Sequence, residues 1–146
     1  MITSNISNIF MVEDNPADVY LFRQALHKAG VNFEMSVIDD GAEALSFVRN
    51  YKRSAENRRP DIAVLDLNLP SNGGIEILAA IRRNHDLADL RVVIVSSSYS
   101  PLERAQAEAL QISRFVTKAP DLAEFLQLGE VLKELLSESE IGRAGA

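Results

Sequence analysis

The chain has 146 residues, of which 47% are hydrophobic and 25% charged, which suits one domain with a buried core. The formal net charge of −6 argues against sequence-independent binding to nucleic-acid phosphates and is compatible with a cation site or a basic partner surface. There is no cysteine, and therefore neither a disulfide framework nor thiolate chemistry; no apolar run approaches the roughly 18 residues of a membrane span.

The opening "MITSNISN" lacks a basic region followed by an apolar core, so no signal peptide is read and a cytoplasmic location is expected. "IFMV" (9–12) is the first strand, and it runs into Glu13 and Asp14. Asn15 then caps a helix with Pro16 at its first position. "FEMSVI" (33–38) alternates in polarity and reads as a second strand near an edge of the sheet. Asp40 and Glu43 have capping-box spacing for the next helix, after which "YKRSAENRRP" (51–60) is a charged surface loop. "IAVL" (62–65) is apolar on both faces and delivers a single acid, Asp66, followed by Asn68, a proline and the pair Gly73–Gly74, which opens the third helix.

"VVIV" (92–95) is the fourth strand and leads to Ser96, Ser97 and Ser98. Ser100 and Glu103, with Pro101 between them, start the fourth helix. "RFVT" (114–117) is the fifth strand, with Lys118 directly after it, and Asp121 with Glu124 caps a final helix. That helix places Leu122, Phe125, Gly129, Leu132 and Leu136 on one stripe and Leu128, Val131 and Leu135 beside it. The apolar arc is about 220°, much wider than the ~100° a one-sided helix needs, and the surplus at Leu128, Val131 and Leu135 predicts a protein–protein surface. The tail "SESEIGRAGA" (137–146) is expected to fray, leaving a single domain with its core at about 8–136. His27 and His85 have no metal-spaced partner and read as surface residues.

Strands alternating with helices imply βαβ units and a parallel α/β sheet covered on both faces. In such sheets ligands collect at the carboxyl ends of the strands. Glu13, Asp14, Asp66, Asn68, Ser96 and Lys118 all stand there. Each has a plainer reading: Glu13–Asp14 could simply favour a helix dipole, and the serines could be a polar loop. Taken together, clustered carboxylates without His or Cys ask for a hard cation, and Mg²⁺ fits better than zinc. A lysine and a hydroxyl beside them complete a phosphoryl-transfer site, with Asp66 the best nucleophile because it stands alone at a strand end.

"MVEDNP", "VLDLNLP…GG", "VVIVSSS" and "FVTK", in that order and spacing, resemble the receiver domain of two-component response regulators over about residues 8–136. "EDNPADVYLF", the chain length and the long loop before Asp66 are most similar to the single-domain regulators paired with bacterial phytochrome kinases. The resemblance implies a flavodoxin-like (βα)5 doubly wound fold. It implies Asp66 as phosphoacceptor from a sensor kinase phosphohistidine or a histidine phosphotransfer protein, with Mg²⁺ held by Asp14 and Asp66, by the Asn68 backbone carbonyl and by Glu13 through water. Lys118 would pair with the phosphoryl group, Ser96 would swing toward it, and Phe115 would be the switch aromatic. A homodimer through the fourth helix, fifth strand and fifth helix is also implied.

Two departures stand out. Phe115 lacks the hydroxyl that a tyrosine would bring, so its preference must come from packing alone. Ala119 follows Lys118 where the family usually has proline, often after a cis bond; a cis Lys118–Ala119 bond would cost roughly 3 kcal/mol, so either the site holds that strain or the loop takes another path.

Three functions compete. A phosphorylation switch acting on another protein fits the acids and lysine, and no DNA-binding output domain is expected after the fifth unit. An aspartyl-phosphate phosphatase needs an acid two places after the nucleophile, where Asn68 stands. A receiver that binds partners without phosphorylation would not need the intact acid–lysine set.

Overall fold

The computed structural model describes residues 6–70, 73–97, 100–118 and 121–144. Five strands and six helices follow one another as β1 (Ser7–Val12), α1 (Pro16–Lys28), β2 (Phe33–Ile38), α2 (Gly41–Asn50), β3 (Ile62–Asp66), α3 (Gly74–Arg83), β4 (Arg91–Ser96), α4 (Pro101–Ala109), β5 (Arg114–Thr117), α5 (Leu122–Leu126) and α6 (Leu128–Ala144). The strands form one parallel sheet in the order β2-β1-β3-β4-β5. This is the doubly wound α/β architecture expected, with the alternating "FEMSVI" on one edge.

The period of two in each strand builds two cores, one on either side of the sheet. Phe10 and Val12, Ala63 and Leu65, Val92 and Ile94 face one way, onto Ala44, Leu45 and Val48 of α2 and Ile77, Leu78 and Ile81 of α3. Ile9 and Met11, Ile62 and Val64, Val93 and Val95 face the other, onto Phe22 and Leu26 of α1, Phe125 of α5 and Leu132 and Leu136 of α6. Because both faces are covered, the three central strands carry continuous apolar runs, over 9–12, 62–65 and 92–95, with polar residues only at their ends. Among the described residues no helix is long and apolar enough to cross a membrane.

The caps act as read. The Asn15 side chain accepts from Ala17 N–H, Asp40 from Glu43 N–H, and Ser100 from Glu103 N–H. Asp121 also caps, but its side chain accepts from Ala123 N–H.

The C-terminal segment departs from expectation in three ways. The final helix is two helices, α5 and α6, with Gln127 between them as the C-cap of α5. The helical turns of α6 continue through 137–144, the segment expected to fray. And the broad apolar arc is spent inside the chain. Gly129 lets α6 settle on α1, where a Cβ would collide with the Ala25 carbonyl oxygen. That approach buries Leu128 and Leu135 to 7% and 4% exposure. These two leucines therefore belong to the core between α6, α1 and the sheet, which corrects their reading as a dimer surface; Val131 is half-buried at its margin.

Candidate functional site

The parallel register brings the carboxyl ends of β1, β3, β4 and β5 to one edge. β1 delivers Glu13 and Asp14 just past Val12; β3 ends on Asp66; β4 ends on Ser96; β5 delivers Lys118 just past Thr117. The Lys118 amide donates to the Ser96 carbonyl at 2.7 Å, so the tips of β4 and β5 are tied where the side chains turn inward.

Lys118 is the centre of the site. Its Nζ lies 2.8 Å from Glu13 Oε2, 2.7 Å from Asp18 Oδ2 and 3.3 Å from Asp66 Oδ2. Asp66 is only 4% exposed. Its other oxygen, Oδ1, accepts from the Asn68 backbone N–H at 2.8 Å, which holds the carboxylate plane as the chain turns after β3. Glu13 is 2% exposed, and its Oε1 accepts from Asn15 N–H at 3.2 Å. Burial pushes the Glu13 carboxyl up to about 7; the Lys118 hydrogen bond opposes this and the Asp66 charge reinforces it. Burial works against the Lys118 charge, but the hydrogen bonds it donates to Asp18 and Glu13 and the fields of Glu13 and Asp66 outweigh it and raise the ammonium above its ordinary value.

Glu13, Asp14 and Asp66 each offer a carboxylate oxygen, and these atoms all lie within 4.8 Å of one another. Asp14 is the exposed member, at the mouth of the cluster. With Asp18 the site gathers four acids, of which Glu13, Asp18 and Asp66 share the Lys118 ammonium. That surplus of hard, negative oxygens fits a divalent cation of the Mg²⁺ type.

Of the residues singled out in the sequence, Glu13, Asp14, Asp66 and Lys118 converge. Ser96 is fully buried, and its hydroxyl donates to the Asn68 side-chain oxygen at 3.0 Å. The same Asn68 Oδ1 accepts from Ser97 N–H at 3.2 Å and Ser97 Oγ at 3.3 Å. Asn68 thus links the end of β4 to the turn after β3. Phe115 on β5 is half-buried against the α2–α3 core, and the Arg104 guanidinium of α4 lies 5.5 Å from its ring centroid. His27 and His85 are exposed, as read. Ser98 and the Lys118–Ala119 bond lie outside the described residues.

Asp18 was not singled out in the sequence. Capped by Asn15 with Pro16 at N1, it reads as an ordinary acid in a first helical turn. Its partner is 100 residues away, and no local spacing announces the pair.

The family model described as the response regulator receiver domain matches residues 9–129. Response regulator Rcp1 of Synechocystis sp. is 28% identical over 131 residues, 90% of this chain and 89% of that protein. Among solved structures, the phosphorylated cyanobacterial phytochrome response regulator RcpA is 34% identical with a TM-score of 0.78, covering 89% of this chain and 93% of that one. The Mn²⁺-bound form of Rcp1 is 28% identical with a TM-score of 0.75, covering 87% and 91%.

Proposed function

The chain belongs to the response regulator receiver family of two-component systems, and on that footing we propose that Asp66 is its phosphoacceptor. An Asp66 carboxylate oxygen attacks the phosphorus of a sensor kinase phosphohistidine. The P–O bond forms as the P–N bond breaks, and the histidine nitrogen leaves with the electron pair and takes up a proton. Asn68 N–H holds Oδ1 of Asp66, while Lys118 stands at Oδ2 as a fixed positive charge for the incoming phosphoryl oxygens. Asp14 and Asp66, with the Asn68 backbone carbonyl and Glu13 through water, would hold Mg²⁺, which would supply the remaining neutralisation of phosphoryl charge. The observation that carries this reading is the single ammonium of Lys118 set among the acids of the strand ends, with Asp66 alone terminating a central strand. That the structural relatives include a phosphorylated and a Mn²⁺-bound regulator supports it.

Asn68 argues against turnover on outside substrates: its side-chain oxygen is engaged by Ser96 and Ser97, and an amide cannot protonate a leaving group. The output is then a protein surface. Ser96 moves toward the phosphoryl group, Phe115 follows, and the change reaches α4 and β5, where Arg104 already rests on Phe115. Self-association through this face would use the exposed Leu102 of α4 and Leu122 of α5, 69% and 56% exposed, rather than the buried Leu128 and Leu135. The kinase we favour is a cytoplasmic phytochrome, since RcpA is a phytochrome response regulator.

Incubation with acetyl phosphate and Mg²⁺ tests the acceptor directly. The expected result is a mass increase of one phosphoryl group that EDTA and Asp66→Asn both abolish. No increase in the wild type, or one that survives Asp66→Asn, defeats the proposal. A phosphotransfer profile against candidate histidine kinases then identifies the donor.

A further inference from the structure

An ammonium has three N–H donors. In Lys118 they meet three carboxylates, and the contacts are not equal: 2.7 Å to Asp18, 2.8 Å to Glu13 and 3.3 Å to Asp66. The proposed phosphoacceptor thus has the weakest hold on the lysine that is to serve it. Glu13 is buried beneath the site, whereas Asp18 stands at its rim, with 19% of its side chain exposed. An acid in a first helical turn ordinarily answers its own helix dipole. This one reaches across to the tip of β5 instead.

From these contacts we infer that Asp18 is a positioning residue that draws the Lys118 ammonium toward α1 and away from Asp66, in competition with a phosphoryl group on Asp66. The inference rests on the phosphoacceptor reading above. A phosphoryl group brings nearly two negative charges to the strand edge. To bond it, Lys118 must redirect at least one donor. The stronger the claim of Asp18, the less of the lysine is available. Asp18 therefore lowers the occupancy of the modified state without touching the reacting atoms.

Beryllofluoride, which mimics a phosphoryl group on a carboxylate, provides the probe, titrated with Mg²⁺ and followed by ¹⁹F NMR. Asp18→Asn should bind it roughly fivefold more tightly, while Asp18→Glu restores the wild-type value. In a Lys118→Met background the same Asp18→Asn change should shift the constant by less than about twofold, because its route of action is gone. A residue that merely supports α1 would not tighten the complex at all. Unchanged or weaker binding in Asp18→Asn overturns the inference, as does equal tightening with and without Lys118, which would mean a simple field effect. Thermal unfolding checks each variant, and Asp18→Ser, with the same expectation, serves should Asp18→Asn not fold. If the wild type neither binds beryllofluoride nor takes phosphoryl from acetyl phosphate, the phosphoacceptor reading has failed and this one falls with it. Wild-type binding that Asp18→Asn leaves unaltered defeats the Asp18 role alone.

Discussion

Gly74 opens α3 directly against the acceptor, and Gly74→Ala tests how closely helix and site are coupled. A Cβ built there meets the Asp66 carbonyl oxygen at 2.6 Å, the Asp66 carbonyl carbon at 3.1 Å and Leu67 Cα at 3.1 Å. All three are backbone atoms, so no side chain can rotate out of the way. Restoring a tolerable contact of 3.0–3.4 Å requires α3 and the end of β3 to part by roughly 0.4–0.8 Å. Overpacking of this kind costs about 1–3 kcal/mol, set against a helix-propensity gain of at most about 1 kcal/mol from alanine. The net loss of up to about 2 kcal/mol lowers the melting temperature by up to roughly 8 °C in a chain of this size. The effect on chemistry should be larger than on stability. A misplacement of about 1 Å can cost a hundredfold in rate, so half that displacement of Asp66 slows phosphorylation roughly tenfold. The assay is the rate of acetyl phosphate labelling by intact mass, alongside thermal unfolding by circular dichroism. Gly73→Ala is the control, since its Cβ meets nothing closer than 3.6 Å. Wild-type rate and stability in Gly74→Ala would refute the reasoning.

Gly129→Ala should be the more damaging of the two to the fold, by about 2–4 kcal/mol in urea denaturation, because its Cβ would collide with the Ala25 carbonyl and α6 would have to lift from α1; near-native stability contradicts that packing. In EDTA, stability should fall as pH rises from about 5 to above 7. Glu13 takes up its proton near 7 in the folded chain against 4.5 ordinarily, so across that interval the folded state binds more protons than the unfolded one. The loss is at most roughly 3 kcal/mol, and Glu13→Gln should flatten the slope. Lys118 adds nothing to that slope, since its raised value preserves its contribution until pH exceeds the ordinary 10.5. A stability that is level or rising across this interval would contradict the assignment. Leu102→Glu with Leu122→Glu should reduce the solution mass from dimer to monomer in light scattering; an unchanged mass places self-association elsewhere.

The fold was legible because its signals are local. Buried parallel strands announce themselves as "IAVL" and "VVIV", and Asn15, Asp40 and Ser100 mark helix starts by short-range hydrogen bonds. Asp66 and Lys118 were legible for the same reason: a charge at the end of an apolar run has few structural uses. What escaped was decided by non-local contact. The arc of α6 looked like a surplus because the sequence does not show that Gly129 lets α1 cover it. The α5–α6 break at Gln127 falls two residues before Gly129, with no proline to mark it. Asp18 looked like its neighbours until the fold placed β5 beside it. Ser96 was read as swinging toward a phosphoryl group; the Asn68 partner that holds its hydroxyl at rest went unread, because that pairing depends on how the two loops meet.

That last arrangement has a mechanical consequence. The Asn68 side-chain oxygen serves the Ser96 hydroxyl, the Ser97 amide and the Ser97 hydroxyl at once. Ser96 is thus latched, and the catch is shared with the next residue. A fully buried hydroxyl leaves such a partner readily only when another acceptor is within reach, and a phosphoryl oxygen on Asp66 would be one. Quiescence is then something the resting molecule actively maintains through contacts that release must first displace.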